Sequence, residues 1–424
     1  MHRARRATQL FEFVALQSAI NFKNLAPATL AIHLYRALLP KIRQSHDTML
    51  SNWTLKNSAV STKPLPTKQD SGVDATFSRS DALPAVHTKA TDEDLAWKCP
   101  SSGASETMTF YMTFDDGVIA FVQMAYSSLG LSPNIGVTHR IYTPSGAKHG
   151  KTFNQSSSAF RLSNNNLNAT CEPMTISFDR TTRIYHVTFI LSKEVQLDVA
   201  FTPSPEHDFF KVGEGKVLFG RTDKEGSVSA CFLPRADLSG TVTVDGVSRE
   251  ATGKGLFHHA VQVKPQAAAR WNFVDVQGAA VAVMLYEFEM PSAARTVSQG
   301  CLVLDGRLVA VTTDNRAVHL ASARDAKSGY DYPTRMLVSL RGTTLDDGRA
   351  CEVTLETDLT HRLDVIDVLA ELPYLLRKFI QTFVTAPFLF SWFEKRVNVE
   401  VRIGDEVQNA VGDAFVECSF LSKE

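Results

Sequence analysis

The stretch "FYMTFDDGVIAFVQMAY", Phe110–Tyr126, has an echo downstream in "WNFVDVQGAAVAVMLYE", Trp271–Glu287. With Gly117 set against Gly278, each reads as a strand, a polar turn holding glycine, and an apolar strand reaching Tyr126 or Tyr286. Alternating apolar, β-branched and aromatic residues carry the strand reading, and the turn residues carry the hairpin. The sequence between the two copies is long enough for an up-and-down barrel of about eight strands. The repeat therefore predicts two tandem all-β units.

The neighbouring sequence extends this pattern. "RIYHVTFILS" (Arg183–Ser192), "VQLDVAFTP" (Val195–Pro203) and "LSGTVTVDG" (Leu238–Gly246) are further short runs of period two. Turn signals such as Asp115-Asp116-Gly117, Pro144-Ser145-Gly146 and Asp245-Gly246 punctuate them. Too little sequence separates the runs for crossover helices, so the strands should be antiparallel. One helical insertion is expected after Pro373, where Leu376, Phe379, Ile380, Phe383 and Val384 recur at helical spacing before Pro387. It reads as a plug at a barrel end, or as a membrane-touching cap edged by Arg377 and Lys378.

Upstream of Glu106 the character changes. Residues 1–48 carry seven basic residues against Glu12 and Asp47, and Leu30, Leu34, Leu38 and Ile42 give Pro27–Arg43 an amphipathic helical pattern. A mitochondrial presequence, a membrane-surface helix and an extension with no settled role all fit. Residues 56–105 are rich in Ser, Thr, Pro, Lys and Asp and read as a flexible linker. The expected organisation is a basic amphipathic extension over 1–48, a short membrane-binding helix and linker over 49–105, and barrels over 106–250 and 251–424.

The totals narrow the function classes. A chain of 424 residues exceeds what one hydrophobic core serves. A net charge of -1 gives no global field toward nucleic acid, so no nucleic-acid partner is expected. Phe supplies 26 residues against 9 Tyr and 4 Trp, enough for a thick core or an apolar cavity wall. The six cysteines are scattered without a CxxC pair, which predicts reduced thiols, no metal and a cytosolic setting.

Catalytic signatures are missing. There is no GxSxG, HExxH, Walker or calcium-loop pattern, and no pair of carboxylates stands out from turn positions. No catalytic residue and no cofactor is assigned. The richest polar stretch is Gly253–Gly278. If Leu256–Val263 is a strand, His258 and His259 point to opposite faces and cannot share a metal. One row holds His258, Ala260 and Gln262; the other holds Phe257, His259 and Val261, where ring nitrogens need partners. His258, Gln262, Arg270, Trp271 and Asn272 are the candidate ligand-binding residues, fixing the polar head of an amphiphile. With equal weight, His258, Gln262, Arg270 and Asn272 form a hydrogen-bonded network tying one barrel to the other.

Four blocks carry a resemblance. "DEDLAW" (Asp92–Trp97), "ETMTFYMTFDDG" (Glu106–Gly117), "GKGLFHHAVQVKPQAAARWNFV" (Gly253–Val274) and "AFVECSF" (Ala414–Phe420) resemble the fungal survival-factor family. The resemblance implies two tandem lipocalin-like barrels, and ceramide or a similar sphingolipid as ligand. It also implies transfer from endoplasmic reticulum to Golgi membranes and a link to survival under oxidative stress. The location it implies is the cytoplasm, peripheral to endoplasmic reticulum and cis-Golgi membranes, with the nucleus as a further site. "MLSNWTL" is similar to the family's membrane-binding start, which makes Met49, Leu50, Trp53 and Leu55 candidate membrane contacts and Met49 a candidate initiator. The double-lipocalin superfamily also contains hydratases and cyclases acting on polyene or isoprenoid chains, so that class is the alternative. A hydratase needs an acid on the apolar chain, and His and Arg without a recognisable buried carboxylate tilt the expectation toward a carrier.

Overall fold

The computed structural model describes residues 87–128, 133–220, 222–265, 268–290, 295–368, 370 and 387–421. All fall in one compact unit, Ser78–Glu424. The expected extension over 1–48, the candidate contacts Met49, Leu50, Trp53 and Leu55, and the expected helix between Pro373 and Pro387 lie outside the described residues.

The repeated sequence folds as two equivalent hairpins. Ala104–Phe114 pairs with Ile119–Ser127, and Arg270–Gly278 pairs with Val281–Met290. In the first hairpin Met108, Phe110 and Met112 are buried on one face, as period-two alternation requires. Gly117 takes φ +84 in the first turn, a left-handed conformation that a Cβ would strain.

Each hairpin opens its own antiparallel sheet. In the first, the path runs Lys148–Ser156, Asn134–Tyr142, Ile119–Ser127, Ala104–Phe114, Gly253–Val263, Ser227–Val244, Val195–Pro203, Ile184–Ile190 and Met174–Asp179, with shorter strands beyond and beside it. In the second it runs Arg307–Thr312, Arg295–Leu304, Val281–Met290, Arg270–Gly278, Glu406–Phe420, Phe388–Ile403, Ala350–Asp358, Asp331–Thr343 and Asp314–Arg324. The two sheets share a plan. In both, the leading strand pairs with the last strand of its sheet, and that last strand pairs with a long, bulged strand that precedes it in the chain. The bulges fall between Leu233 and Ala236 and between Glu394 and Val397.

Both sheets curl into barrels, so the all-β, tandem-barrel expectation holds. In the first, His139 and Phe189 come from strands far apart in the order, yet their rings lie 4.7 Å apart. In the second, the edge strand Arg307–Thr312 returns to the far side through a bridge between Ala310 and Thr344 and a Leu345 N–H bond to Val309 O (2.8 Å). That contact, from one edge strand to the residues just past Asp331–Thr343, the strand beside the other edge, is the barrel's seam.

Gly253–Val263 is built into the first sheet, between Ala104–Phe114 and Ser227–Val244. The expected domain boundary between Glu250 and Ala251 therefore falls before that sheet's closing strand, and the second sheet begins at Arg270. Three apolar cores result: one inside each barrel and one in the layer between them. The interior of the first barrel is filled by rings, with Phe110, Tyr185, Phe201, Phe209 and Phe257 fully buried and in mutual contact. All six cysteines are free thiols.

Candidate functional site

Strand alternation separates the candidate residues into two places. His258, Gln262 and Trp271 point into the layer between the barrels. Arg270 and Asn272 point into the second barrel, on the same side of their strand as the core residues Val274 and Val276.

In the layer, His258 stacks on Phe232 (5.1 Å) and meets Tyr286 edge-on (4.6 Å). Burial, with His259 beside it, depresses its pKa to about 3, so the ring is neutral. His258 Nε2 is buried without a hydrogen-bond partner among the described residues. Gln262 donates to the Tyr286 hydroxyl (2.8 Å), and Trp271 Nε1 donates to Glu417 (3.2 Å). Further along the layer, Arg235 from the first sheet's bulge donates to the carbonyls of Gly278 (2.7 Å), Val281 (3.2 Å) and Ala279 (2.9 Å). Gln277 donates to Pro234 O (2.9 Å) and to Asp275 (2.7 Å). The layer is thus an aromatic sandwich fixed by polar ties, the network reading for His258 and Gln262.

Inside the second barrel, Arg270 and Asn272 join residues that sequence reasoning missed. Arg270 pairs with Glu289 and donates to His319 Nδ1 (3.2 Å). His319 Nε2 then carries the proton and donates to Asn272 Oδ1 (3.0 Å), which also accepts from the Cys418 thiol (3.2 Å). Asn272 Nδ2 donates to Glu287 Oε1 (3.0 Å), and Ala317 N–H donates to Glu287 Oε2 (3.2 Å). Burial first, and Arg270 second, hold His319 well below the usual histidine range, consistent with the neutral tautomer these bonds demand. Burial, reinforced by Glu289, raises Glu287 to about 7.

The same belt continues on the next strands through Ser298, Thr312 and Asn315, all buried. Across the interior stand Met336, Val338, Leu340, Val353, Leu355 and Val399, all buried and apolar. The second interior is amphipathic, polar on one wall and hydrocarbon on the other. Above its Arg270 end, Tyr330, Phe388, Phe390 and Phe420 pack ring against ring, and the Arg270 guanidinium lies 5.8 Å from the Phe420 centroid.

The expectation of no buried carboxylate is overturned. Glu287 is fully buried, and burial lifts Asp275 and Glu417 to about 7 as well. In "VAVMLYEFEM" (Val281–Met290), Glu287 and Glu289 share the odd-numbered face with Val281, Val283 and Leu285. That shared parity was the available signal, hidden because the strand is buried on both faces. Among the described residues no cluster of three or more metal-ligating side chains occurs.

His259, the other member of the pair, faces the first barrel. Its Nε2 bonds Glu106 Oε1 (2.8 Å) and its Nδ1 bonds Asp94 O (3.0 Å). A carbonyl can only accept, so Nδ1 carries a proton, and Nε2–H facing the carboxylate makes an imidazolium. Burial alone would lower its pKa, but the Cys231 and Glu106 contacts carry it up to about 10. Glu106 also accepts from the backbone N–H groups of Lys98 (2.8 Å) and Cys99 (2.7 Å). The pair clamps the segment Asp92–Cys99 onto the barrel.

The comparisons agree with this architecture. A profile of the Svf1 family matches residues 51–422. Among similar proteins, "Ceramide-binding protein svf1" of Emericella nidulans is 26% identical over 358 residues, covering 80% of this chain and 91% of that one. The protein of the same name in Schizosaccharomyces pombe is 26% identical over 341 residues, covering 78% and 89%. Among solved structures, CghA superposes with a TM-score of 0.54 at 11% identity, covering 82% of this chain and 97% of that chain. An AttH-type protein from Nitrosomonas europaea gives 0.53 at 14% identity, covering 80% and 99%. At such identity these structures speak for the fold.

Proposed function

The chain belongs to the Svf1 family, and on that premise we propose that it binds ceramide and carries it between endoplasmic reticulum and Golgi membranes. Peripheral association with those membranes from the cytoplasm, a nuclear pool and a contribution to oxidative-stress survival belong to the same proposal. The names of the curated relatives support the ligand class. The observation that carries it is the two-sided interior of the second barrel, where neutral donors and acceptors, with the paired Arg270 and Glu289, face a hydrocarbon wall. An uncharged amide-and-hydroxyl head suits the first wall and an alkyl chain the second. Each CH₂ kept from water is worth about 0.8 kcal/mol, which favours enclosure during transfer.

A second reading has one observation behind it: Glu287, a carboxyl that burial keeps partly protonated near neutrality, inside an apolar barrel. That is the group an enzyme acting on a polyene or isoprenoid chain would use. One experiment separates the two. Purified protein is incubated with ceramide-containing or polyene-containing vesicles, and the bound lipid is extracted and identified by mass spectrometry. Unchanged ceramide recovered in stoichiometric amounts is the expected result. Protein that takes up no sphingolipid sinks the carrier reading, and a chemically altered polyene replaces it with the enzyme.

A further inference from the structure

Most of the belt inside the second barrel is internally satisfied; besides Arg270 Nε, two groups beside the seam are not. Thr312 ends one edge strand and Asn315 is the second residue of the other, Asp314–Arg324, so only Thr313 lies between the two strands. Asn315 Nδ2 donates to Thr312 O (3.0 Å) and Ser298 Oγ donates to Thr313 O (3.0 Å), which fixes the bend. This leaves Asn315 Oδ1 and Thr312 Oγ1 buried without hydrogen-bond partners among the described residues. Their residues are 4% and 1% exposed, out of reach of bulk solvent. Both side chains lie against Gly300, where an added Cβ would lie 2.8 Å from Thr312 Oγ1, 2.8 Å from Leu340 Cδ2 and 3.0 Å from Asn315 Nδ2. Two uncompensated polar groups at one bend are costly unless something binds there.

We infer that Asn315 Oδ1 and Thr312 Oγ1 form the head-group subsite of the second barrel, taking an O–H or N–H donor of an uncharged amphiphile, and that the first barrel is not the ligand's compartment. The inference rests on the carrier reading above and deepens it. Asn315 Oδ1 can only accept, so the ligand must donate; the Thr312 hydroxyl can accept or donate. An anionic head is disfavoured, because the nearby carboxylates are Glu287 and Glu289 and Arg270 is already committed to Glu289. The first barrel offers a poorer place. Its Trp97 Nε1, His139 Nδ1 and Tyr185 hydroxyl are also buried without partners among the described residues, but they stand on three separate segments, and its centre is occupied by the rings of Phe110, Tyr185 and Phe257.

The test uses the full chain and phosphatidylcholine vesicles carrying ceramide, diacylglycerol or ceramide 1-phosphate, with uptake read by mass spectrometry. Wild type should prefer ceramide over both others. The near-isosteric pair Asn315→Leu and Thr312→Val should lower ceramide uptake about tenfold, the scale of one lost hydrogen bond of the stronger kind. Tyr185→Phe removes the first barrel's own unpartnered hydroxyl and should leave uptake unchanged. A photoactivatable ceramide should label peptides within 295–320 in the wild type, a readout independent of whether the double variant folds. Uptake unaffected by the pair, sensitivity to Tyr185→Phe, or labelling confined to 104–201 overturns the inference while leaving ceramide binding standing. A wild type that takes up no ceramide removes the reading beneath it.

Discussion

The adjacent histidines show how one position of offset decides a residue's chemistry. His258 faces an aromatic layer with no countercharge and stays neutral; His259 faces Glu106 and is held charged. The stability consequence has a definite sign. A histidine whose folded pKa lies at about 10, above its unfolded value near 6.5, stabilises fully below the lower figure and loses that contribution as pH rises through the higher. The urea midpoint should therefore fall between pH 7 and 10. His259→Phe should cost about 3–5 kcal/mol, because it strands Glu106 in the interior, and should flatten the alkaline limb. A wild-type midpoint constant over that range would exclude the ion pair. The alternation that separates the two rings was legible from the sequence. Glu106 as the partner was not, since it lies far upstream and only the sheet brings it alongside.

At the scale of elements, the two hairpins that sequence similarity matched occupy the same place in their sheets, so the duplication was read correctly from its apolar alternation. The bulge carrying Arg235 was not foreseen, because Pro234 interrupts the strand pattern there and a bulge has no period of its own. Its role is to aim a guanidinium across the layer onto the turn of the other hairpin, where three carbonyls accept from it. Hydrogen bonds from a charged donor are worth about 1.5–3 kcal/mol. Arg235→Ala should lower stability by that amount and resolve one thermal transition into two, as the barrels lose a tie. A calorimetric trace that shifts without splitting would show that the apolar layer alone couples them. The candidate ligand residues fared unevenly for a related reason. His258, Gln262, Arg270, Trp271 and Asn272 are near neighbours in sequence, but a strand sends alternate side chains to opposite faces, and the link at Val263–Arg270 changes sheets. His319, Glu287 and Asn315 sit in strands that no motif singled out, and only the curled sheet brings them to one wall.

Across the whole of the described structure the two barrels have diverged from a common plan. One has a ring-filled centre and a saturated ion pair; the other pairs a polar belt with an aliphatic wall. They differ also in closure. The second is held along one flank by the Ala310–Thr344 bridge and the Leu345 bond to Val309, whereas its other strands run in continuous ladders. The Leu345 amide should accordingly exchange with deuterium well before the ladder amides of Asp331–Thr343. Equal protection factors across the two would show the seam to be as firm as the rest. A tube stitched so sparsely on one flank behaves as a slit and not as a bottle. A greasy chain could slide in broadside beside Thr312 and Asn315, with no need to thread an end, and the rate of exchange between membranes would then be governed by how often two stitches come undone.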